Sequence, residues 1–190
     1  VAVVLRPLRF EDWPAVHEWA RRPEVCVYQA WGPNTPDETR EFARVAAQAW
    51  DERPQQRFPY AIVRDGRTVG NVELFLRSEG VGEIGYLVHP EFWGRGVATS
   101  AARELLTLGF TEHGLHRIFA TCDPRNVASA AVLRRLGMRY EGRMRETHLI
   151  RDGWRDSDLY AILAPEWRGA VDVPRPSSAS RPDRDAAAGS

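Results

Sequence analysis

"HPEFWGRGVATSAARELL", residues 89–106, carries the chain from an apolar strand into a helix through two glycines with one arginine between them. Gly94 and Gly96 lack a Cβ, so the backbone there can turn sharply and approach a ligand closely. The first amides of the helix that follows have no partner inside it and carry partial positive charge. A strand, a glycine turn and a helix N-terminus in that order suit a phosphate. Two familiar phosphate loops do not fit. A Walker loop requires Gly-Lys followed by Ser or Thr, which is absent, and a dinucleotide fingerprint would need glycine where Thr99 stands.

Periodicity extends the pattern in both directions. "VVLRPL" reads as a first strand stopped by Pro7, and "FEDWPAVHEWARR" as a helix burying Trp13, Val16 and Trp19 or Ala20. A loop with "WGPNTP" precedes a second helix from about Asp37 to Trp50, whose inner face is Phe42, Ala46 and Ala49. "FPYAIVRDGRTVGNVELFLR" is a hairpin turning at Asp65-Gly66, and "EIGYLVHP" is the strand that enters the glycine turn. The helix after the turn aligns Val97, Ala101, Leu105 and Leu108. "RIFATC" is a strand, and "NVASAAVLRRLG" a short helix with Ala128, Ala131, Val132 and Leu136 as its apolar stripe, closed by Gly137. Two final strands flank Asp152-Gly153. The order predicts one mixed α/β domain over residues 1–167, a single sheet with helices on both faces. Residues 168–190, "RGAVDVPRPSSASRPDRDAAAGS", have little to bury and read as a disordered tail.

Composition narrows the function classes. The 190 residues suffice for one buried domain, and 26 basic side chains balance 26 acidic ones. That balance argues against a dedicated nucleic-acid binder. Cys26 and Cys122 form no CxxC motif, and the five histidines show no ligand spacing, so no metal is expected. No apolar run approaches the roughly 18 residues of a membrane span, and no signal-peptide pattern is present; the reading is a cytoplasmic protein with no membrane partner.

The stretches "LVHPEFWGRGVATSA" and "DPRNVASAAVLRRLGM" resemble the GCN5-related N-acetyltransferases (GNAT), specifically the branch that acetylates ribosomal-protein N-termini, the RimJ/RimL-like enzymes. The likeness runs from "LRPL" to "DLYAIL". The superfamily loop is Q/R-x-x-G-x-G/A; here Trp93 takes the first position and leaves the backbone amides in place. The resemblance implies a mixed, mostly antiparallel sheet whose fourth and fifth strands splay apart beside a bulge. It implies that amides of Gly94, Arg95, Gly96, Val97 and Ala98 hold the pyrophosphate of acetyl-CoA, and that its pantetheine arm pairs with amides near Leu87 and Val88. Asn126 touches that arm by resemblance, and a plain helix N-cap is compatible with the same position. A homodimer is expected only because relatives are often dimers.

Acetyl transfer to an amine needs a neutral amine, a stabilised oxyanion and a donor for the leaving thiolate. The resemblance places the oxyanion donor at a backbone amide near Val88. Many relatives carry a tyrosine acid where this chain has Leu133, and some a glutamate where it has Thr121. Ser129 is the replacement the branch offers for the coenzyme sulfur, against a reading as a small polar residue on a helix face; Tyr140 is the alternative acid. Glu146 and His148, two apart on one strand and therefore expected on one face, are candidate bases, with Glu73 and Glu83 also open. At about pH 7.4 a lysine amine costs about 4 kcal/mol to deprotonate and an α-amine less than about 1 kcal/mol, so the lack of an obvious base favours an α-amine. The acceptor is then a protein N-terminus or a small amine. A regulatory module that binds acetyl-CoA without turnover is the rival, kept open by Leu133 and Thr121. Trp31 and Trp154 are candidates to stack on the acceptor.

Overall fold

The computed structural model describes residues 2–167. The elements in chain order are β1 (Val4–Pro7), α1 (Trp13–Ala20), α2 (Pro23–Cys26), α3 (Pro36–Gln48), β2 (Arg57–Arg64), β3 (Arg67–Ser78), β4 (Val81–Val88), α4 (Val97–Thr111), β5 (Arg117–Cys122), α5 (Val127–Arg135), β6 (Arg139–Ile150) and β7 (Gly153–Leu163), with two short 3-10 turns between them and a third after β7. The strands form one sheet in the order β1-β2-β3-β4-β5-β7-β6. Every neighbour pair is antiparallel except β4 and β5, which run parallel. The expected tail lies outside the described residues.

Local chemistry explains the main boundaries. Thr35 caps α3 by accepting from the Glu38 amide at 3.3 Å, while the Glu38 carboxylate accepts from the Thr35 amide at 2.7 Å; Pro36 needs no amide at the first helical position. Asp65 and Gly66 both have positive φ, 49° and 73°, which a two-residue hairpin turn between right-twisted strands requires.

Two apolar clusters cover the two faces of the sheet. One packs Val97, Ala101, Leu105 and Leu106 of α4 and Leu133 of α5 against Val72, Leu74, Ile84 and Ile118. The other packs Val16 and Trp19 of α1, Val25 of α2 and Ala43 and Ala46 of α3 together, with Leu87 of β4 against them. Covered on both faces, β3 is buried from Val69 to Leu74, yet it includes Asn71 and Glu73. Buried polar groups in a central strand are unusual and mark the place where the two faces differ.

The structure differs from the sequence reading in four particulars. The short α2 was read as loop. The ladder between β3 and β4 is regular from Gly70–Val88 to Leu76–Gly82, so β4 leaves β5 without a bulge; the irregularity lies at the other end, at Leu76/Ser78. In α5 the core residues are Ala130 and Leu133, and Leu136 at its end is buried as expected, while Ala128 is exposed and, with Ala131 and Val132, turns toward a cleft. On β6, the three residues between Met144 and His148 oppose a single residue on β7, Asp156, and Glu146 has φ 50°. That irregularity breaks the alternation expected to align Glu146 with His148.

No helix among the described residues is long and apolar enough to cross a membrane. Among the described residues no group of three or more His, Cys, Asp or Glu side chains is placed to hold a metal.

Candidate active site

β4 and β5 pair only through Val81–Arg117, Gly82–Ile118 and Glu83–Phe119. Beyond these pairs β5 stays bonded to β7 as far as Cys122, and β4 to β3 as far as Val88, so a gap opens between them. The backbone phase of β4 follows from one contact: the His89 amide donates to Val69 O at 2.8 Å. Antiparallel bonding alternates, so the main-chain groups of Leu87 belong to the ladder with Asn71, while those of Tyr86 and Val88 turn toward the gap. Val88 O accepts a hydrogen bond from Trp93 Nε1 at 2.7 Å. Trp93 thus ties the glycine turn to the end of β4, and the Val88 amide remains available.

The turn has the geometry an anion needs. Gly94 and Gly96 sit at φ 70° and 77°, and Gly96 begins α4 without a side-chain cap. Among the described residues, no acceptor meets the amides of Gly94 to Thr99 at hydrogen-bonding geometry; the first is Ser100, which donates to Gly96 O at 3.0 Å. A Cβ on Gly94 would meet no other atom within 4 Å, so its open side faces the cleft. Gly94, Gly96, Val97 and Ala98 line the cleft, whereas Arg95 lies outside its walls with its guanidinium 5.9 Å from the Phe92 ring. Successive free amides at a helix N-terminus fit a pyrophosphate.

The cleft, about 1270 Å³, passes from this turn through the strand gap to the α1–α2 side of the sheet. Such a volume exceeds that of an ordinary drug-sized pocket and has room for two substrates. On its α5 wall, Asn126 Oδ1 accepts from the Ser129 amide at 3.0 Å, so Asn126 is a helix cap through one atom and retains its amide NH₂ for a ligand. Ser129 Oγ lies 2.8 Å from Tyr86 Oη, which also reaches Ser129 O at 3.1 Å. Burial pushes the Tyr86 phenol well above its ordinary range, with the Ser129 contact opposing in part, so it stays protonated at working pH. Leu133 is buried and supplies no acid. Cys122, a free thiol at the end of β5, is pushed up to about 11 by burial, so it is not a nucleophile near neutrality.

On the far side, cross-strand partners share a face. Asn71 opposes Leu87 and Glu73 opposes Gly85, and Leu87 packs under α1 to α3, so all four face that side. A Cβ at Gly85 would meet nothing within 4 Å, which leaves the sheet bare there. Glu73 is held by Arg57 at 2.9 and 3.1 Å.

The cleft walls gather Ser129, Asn126, Val88, Leu87, Thr121, Glu73 and Trp31 from the sequence reading. They do not include Tyr140, Glu146, His148 or Trp154. Tyr140 is 53% exposed and stacks edge-on with Tyr160; Glu146 is exposed and donates its amide to Asp156 Oδ1 at 3.0 Å; His148 is exposed and pairs with Arg155 on the β6–β7 ladder. Sequence reasoning missed Tyr86, Asn71 and Arg155, all on the walls. For Asn71 the signal was two polar residues inside an apolar run, "VGNVELFL". Tyr86 sits in an apolar strand like any packing residue, and its partner lies 43 positions away.

Comparison with known proteins places this geometry. The family described as "Acetyltransferase (GNAT) domain" matches residues 2–139. An uncharacterized N-acetyltransferase of Bacillus subtilis (strain 168), YnaD, is 32% identical over 87% of this chain and 95% of its own. The spermidine N(1)-acetyltransferase of Escherichia coli (strain K12) is 27% identical over 87% of this chain and 88% of its own. Among solved structures, Mycobacterium smegmatis RimJ in complex with CoA-disulfide superposes with a TM-score of 0.79 at 30% identity, over 87% of this chain and 84% of that one. A strand gap, a free-amide turn and a matching family over most of the described residues lead to one conclusion: this chain belongs to the GNAT acetyltransferases.

Proposed function

We propose that the protein moves the acetyl group of acetyl-CoA to a primary amine by direct transfer between two substrates bound in the one cleft. The observation that carries this reading is the continuity of the cleft, from the free amides at Gly94–Ala98, through the gap beside Val88, to the sheet face bearing Asn71, Glu73 and Gly85. The amides from Gly94 to Ala98 would hold the pyrophosphate of acetyl-CoA, and the gap-facing main chain of Tyr86 and Val88 would bind the pantetheine arm as an added strand does. The bound thioester supplies the activated acetyl group.

The chain's own groups then divide the work. The Val88 amide, directed into the gap, donates to the carbonyl oxygen as negative charge develops on it. Ser129 Oγ donates to the departing sulfur, with Tyr86 Oη, 2.8 Å away, orienting the serine hydroxyl. No wall residue is an evident base: Glu73 is paired with Arg57, and Glu24 with Arg22 at 3.6 Å. An amine that reaches its neutral form near pH 8 needs none, so we assign an α-amine acceptor, of a protein N-terminus or of a small molecule. The 30% identity to a RimJ supports the first. The Ser129–Tyr86 pair at the gap argues against a binding module without turnover.

The test is acetyl-CoA-dependent thiol release with peptides that are N-terminally free or blocked and carry one internal lysine, from pH 6.5 to 9.5. Faster release with the free peptide, levelling near about pH 8, supports the reading. Equal rates with a pH limb near 6 to 7 would mean that a side chain takes the proton.

A further inference from the structure

Every carboxylate on the cleft wall has an arginine partner. Glu24 pairs with Arg22 at 3.6 Å, Glu73 with Arg57 at 2.9 Å and Asp123 with Arg125 at 2.8 Å. Burial pushes the Asp123 carboxyl up, but the hydrogen bonds from the Arg125 side chain and amide outweigh it and hold the group below its usual range. The arginines on the wall are less well matched: Arg103, Arg135 and Arg155 make no ion pair among the described residues. The Arg155 side chain also makes no hydrogen bond among the described residues, and its Nε is buried without a partner. Its charge acts on both Cys122 and Asp123, which places it beyond the end of β5, where the strand gap is widest. A second unpartnered atom lines the same cleft. Asn71 is 4% exposed, its Nδ2 donates to Glu73 Oε1 at 3.4 Å, and its Oδ1 has no donor.

Buried donors and acceptors left unpaired are destabilising, and a guanidinium has a particular affinity for planar anions. The wall therefore offers a hydrogen-bond acceptor at Asn71 and, at Arg155, a positive charge with a buried donor in want of a partner. A polyamine can donate to Asn71 Oδ1, but it has no oxygen for Arg155, and each carboxylate it would seek is paired with an arginine.

We propose that the amine acceptor carries a carboxylate, which pairs with Arg155, while Asn71 Oδ1 on the same cleft wall accepts from an N–H of a bound substrate. The inference rests on reading the cleft as an acyl-transfer site, and it excludes polyamines as preferred acceptors. An amino acid and a peptide with an acidic second residue both bring an amine and a carboxylate, and the assay separates them.

The experiment is calorimetric binding of acceptors to the CoA-loaded protein, followed by thiol-release kinetics with the same compounds. The probes are glycine, β-alanine, a Ser-Asp dipeptide amide, glycinamide and spermidine. We expect one of the carboxylate-bearing amines to bind about 10- to 100-fold more tightly than glycinamide and spermidine, the scale of a charge-assisted pair. Tightest binding by glycine or β-alanine identifies a small amino acid, and by the dipeptide an acidic N-terminus. Arg155→Gln should abolish that preference by raising KM for the carboxylate amine at nearly constant kcat, and Arg155→Lys should restore part of it. Equal binding of glycine, the dipeptide and glycinamide, or a preference that survives Arg155→Gln, overturns the inference. Failure of CoA to bind would instead sink the functional reading, and the acceptor titrations on the free protein would still decide this one.

Discussion

Replacing Tyr86 by Phe keeps the ring in its place and removes only the hydroxyl between β4 and α5. In the wild type, Tyr86 Oη lies 2.8 Å from Ser129 Oγ and 3.1 Å from Ser129 O. Each hydroxyl has one proton. If Tyr86 donates to Ser129 Oγ, the serine proton is free to point at the departing sulfur. If Tyr86 donates to the carbonyl instead, the serine proton is drawn back onto the tyrosine oxygen. The mechanism requires the first arrangement at the moment of transfer. The phenol stays neutral there, since burial raises its pKa. Loss of one neutral hydrogen bond is worth about 0.5–1.5 kcal/mol, or about 2- to 12-fold in kcat. Ser129→Ala should cost more, about 10- to 100-fold, because it removes the donor itself. The assay is thiol release at saturating acetyl-CoA for both single variants and the double variant. In the Ser129→Ala background Tyr86→Phe should cost almost nothing, giving a coupling close to the whole tyrosine effect. Additive losses, or a tyrosine effect confined to the KM for acetyl-CoA, would refute the pairing.

Three further outcomes follow from the geometry. Trp93→Phe removes the indole donor to Val88 O and should raise the KM for acetyl-CoA several-fold with little change in melting temperature, since the ring is half exposed. Gly94→Ala forces an L residue to φ 70°, so stability should fall by about 1–2 kcal/mol in denaturant titrations and acetyl-CoA affinity should fall with it. Cys122, with its thiol pushed up to about 11, should be alkylated by iodoacetamide at a rate that still climbs above pH 9 and is suppressed by acetyl-CoA. Because that pKa is raised on folding, the associated stability is present below the thiol's unfolded value and should be lost as pH rises toward 11.

Much of the fold was legible because its decisive features are local. Asp65-Gly66 and Gly96 each name a backbone conformation, and both adopt it. The apolar spacing of Val97, Ala101 and Leu105 named the buried face of α4. Less was legible where an element depends on what packs above it. The four residues of α2 are too few for periodicity to register, and the extra residues on β6 show only against β7. In α5 two apolar stripes compete in the letters; Ala130 and Leu133 take the core, and Ala128, Ala131 and Val132 are left on the cleft wall. The glycine turn of the site could be read from the chain, because a phosphate loop is contiguous. Ser129 was named too, but its partner was not, because Tyr86 meets Ser129, and Arg155 and Asn71 share one wall, only after the sheet has assembled.

Calorimetric titration of acetyl-CoA into the wild-type protein and into Gly96→Glu, with circular dichroism confirming that the variant is folded, tests the central claim most directly. The claim is that the free amides from Gly94 to Ala98 and the gap between β4 and β5 together bind acetyl-CoA. The wild type should bind one equivalent, and a carboxylate placed at the anion site should weaken binding by about 100-fold or more. A folded Gly96→Glu variant that binds acetyl-CoA as tightly as the wild type would contradict it.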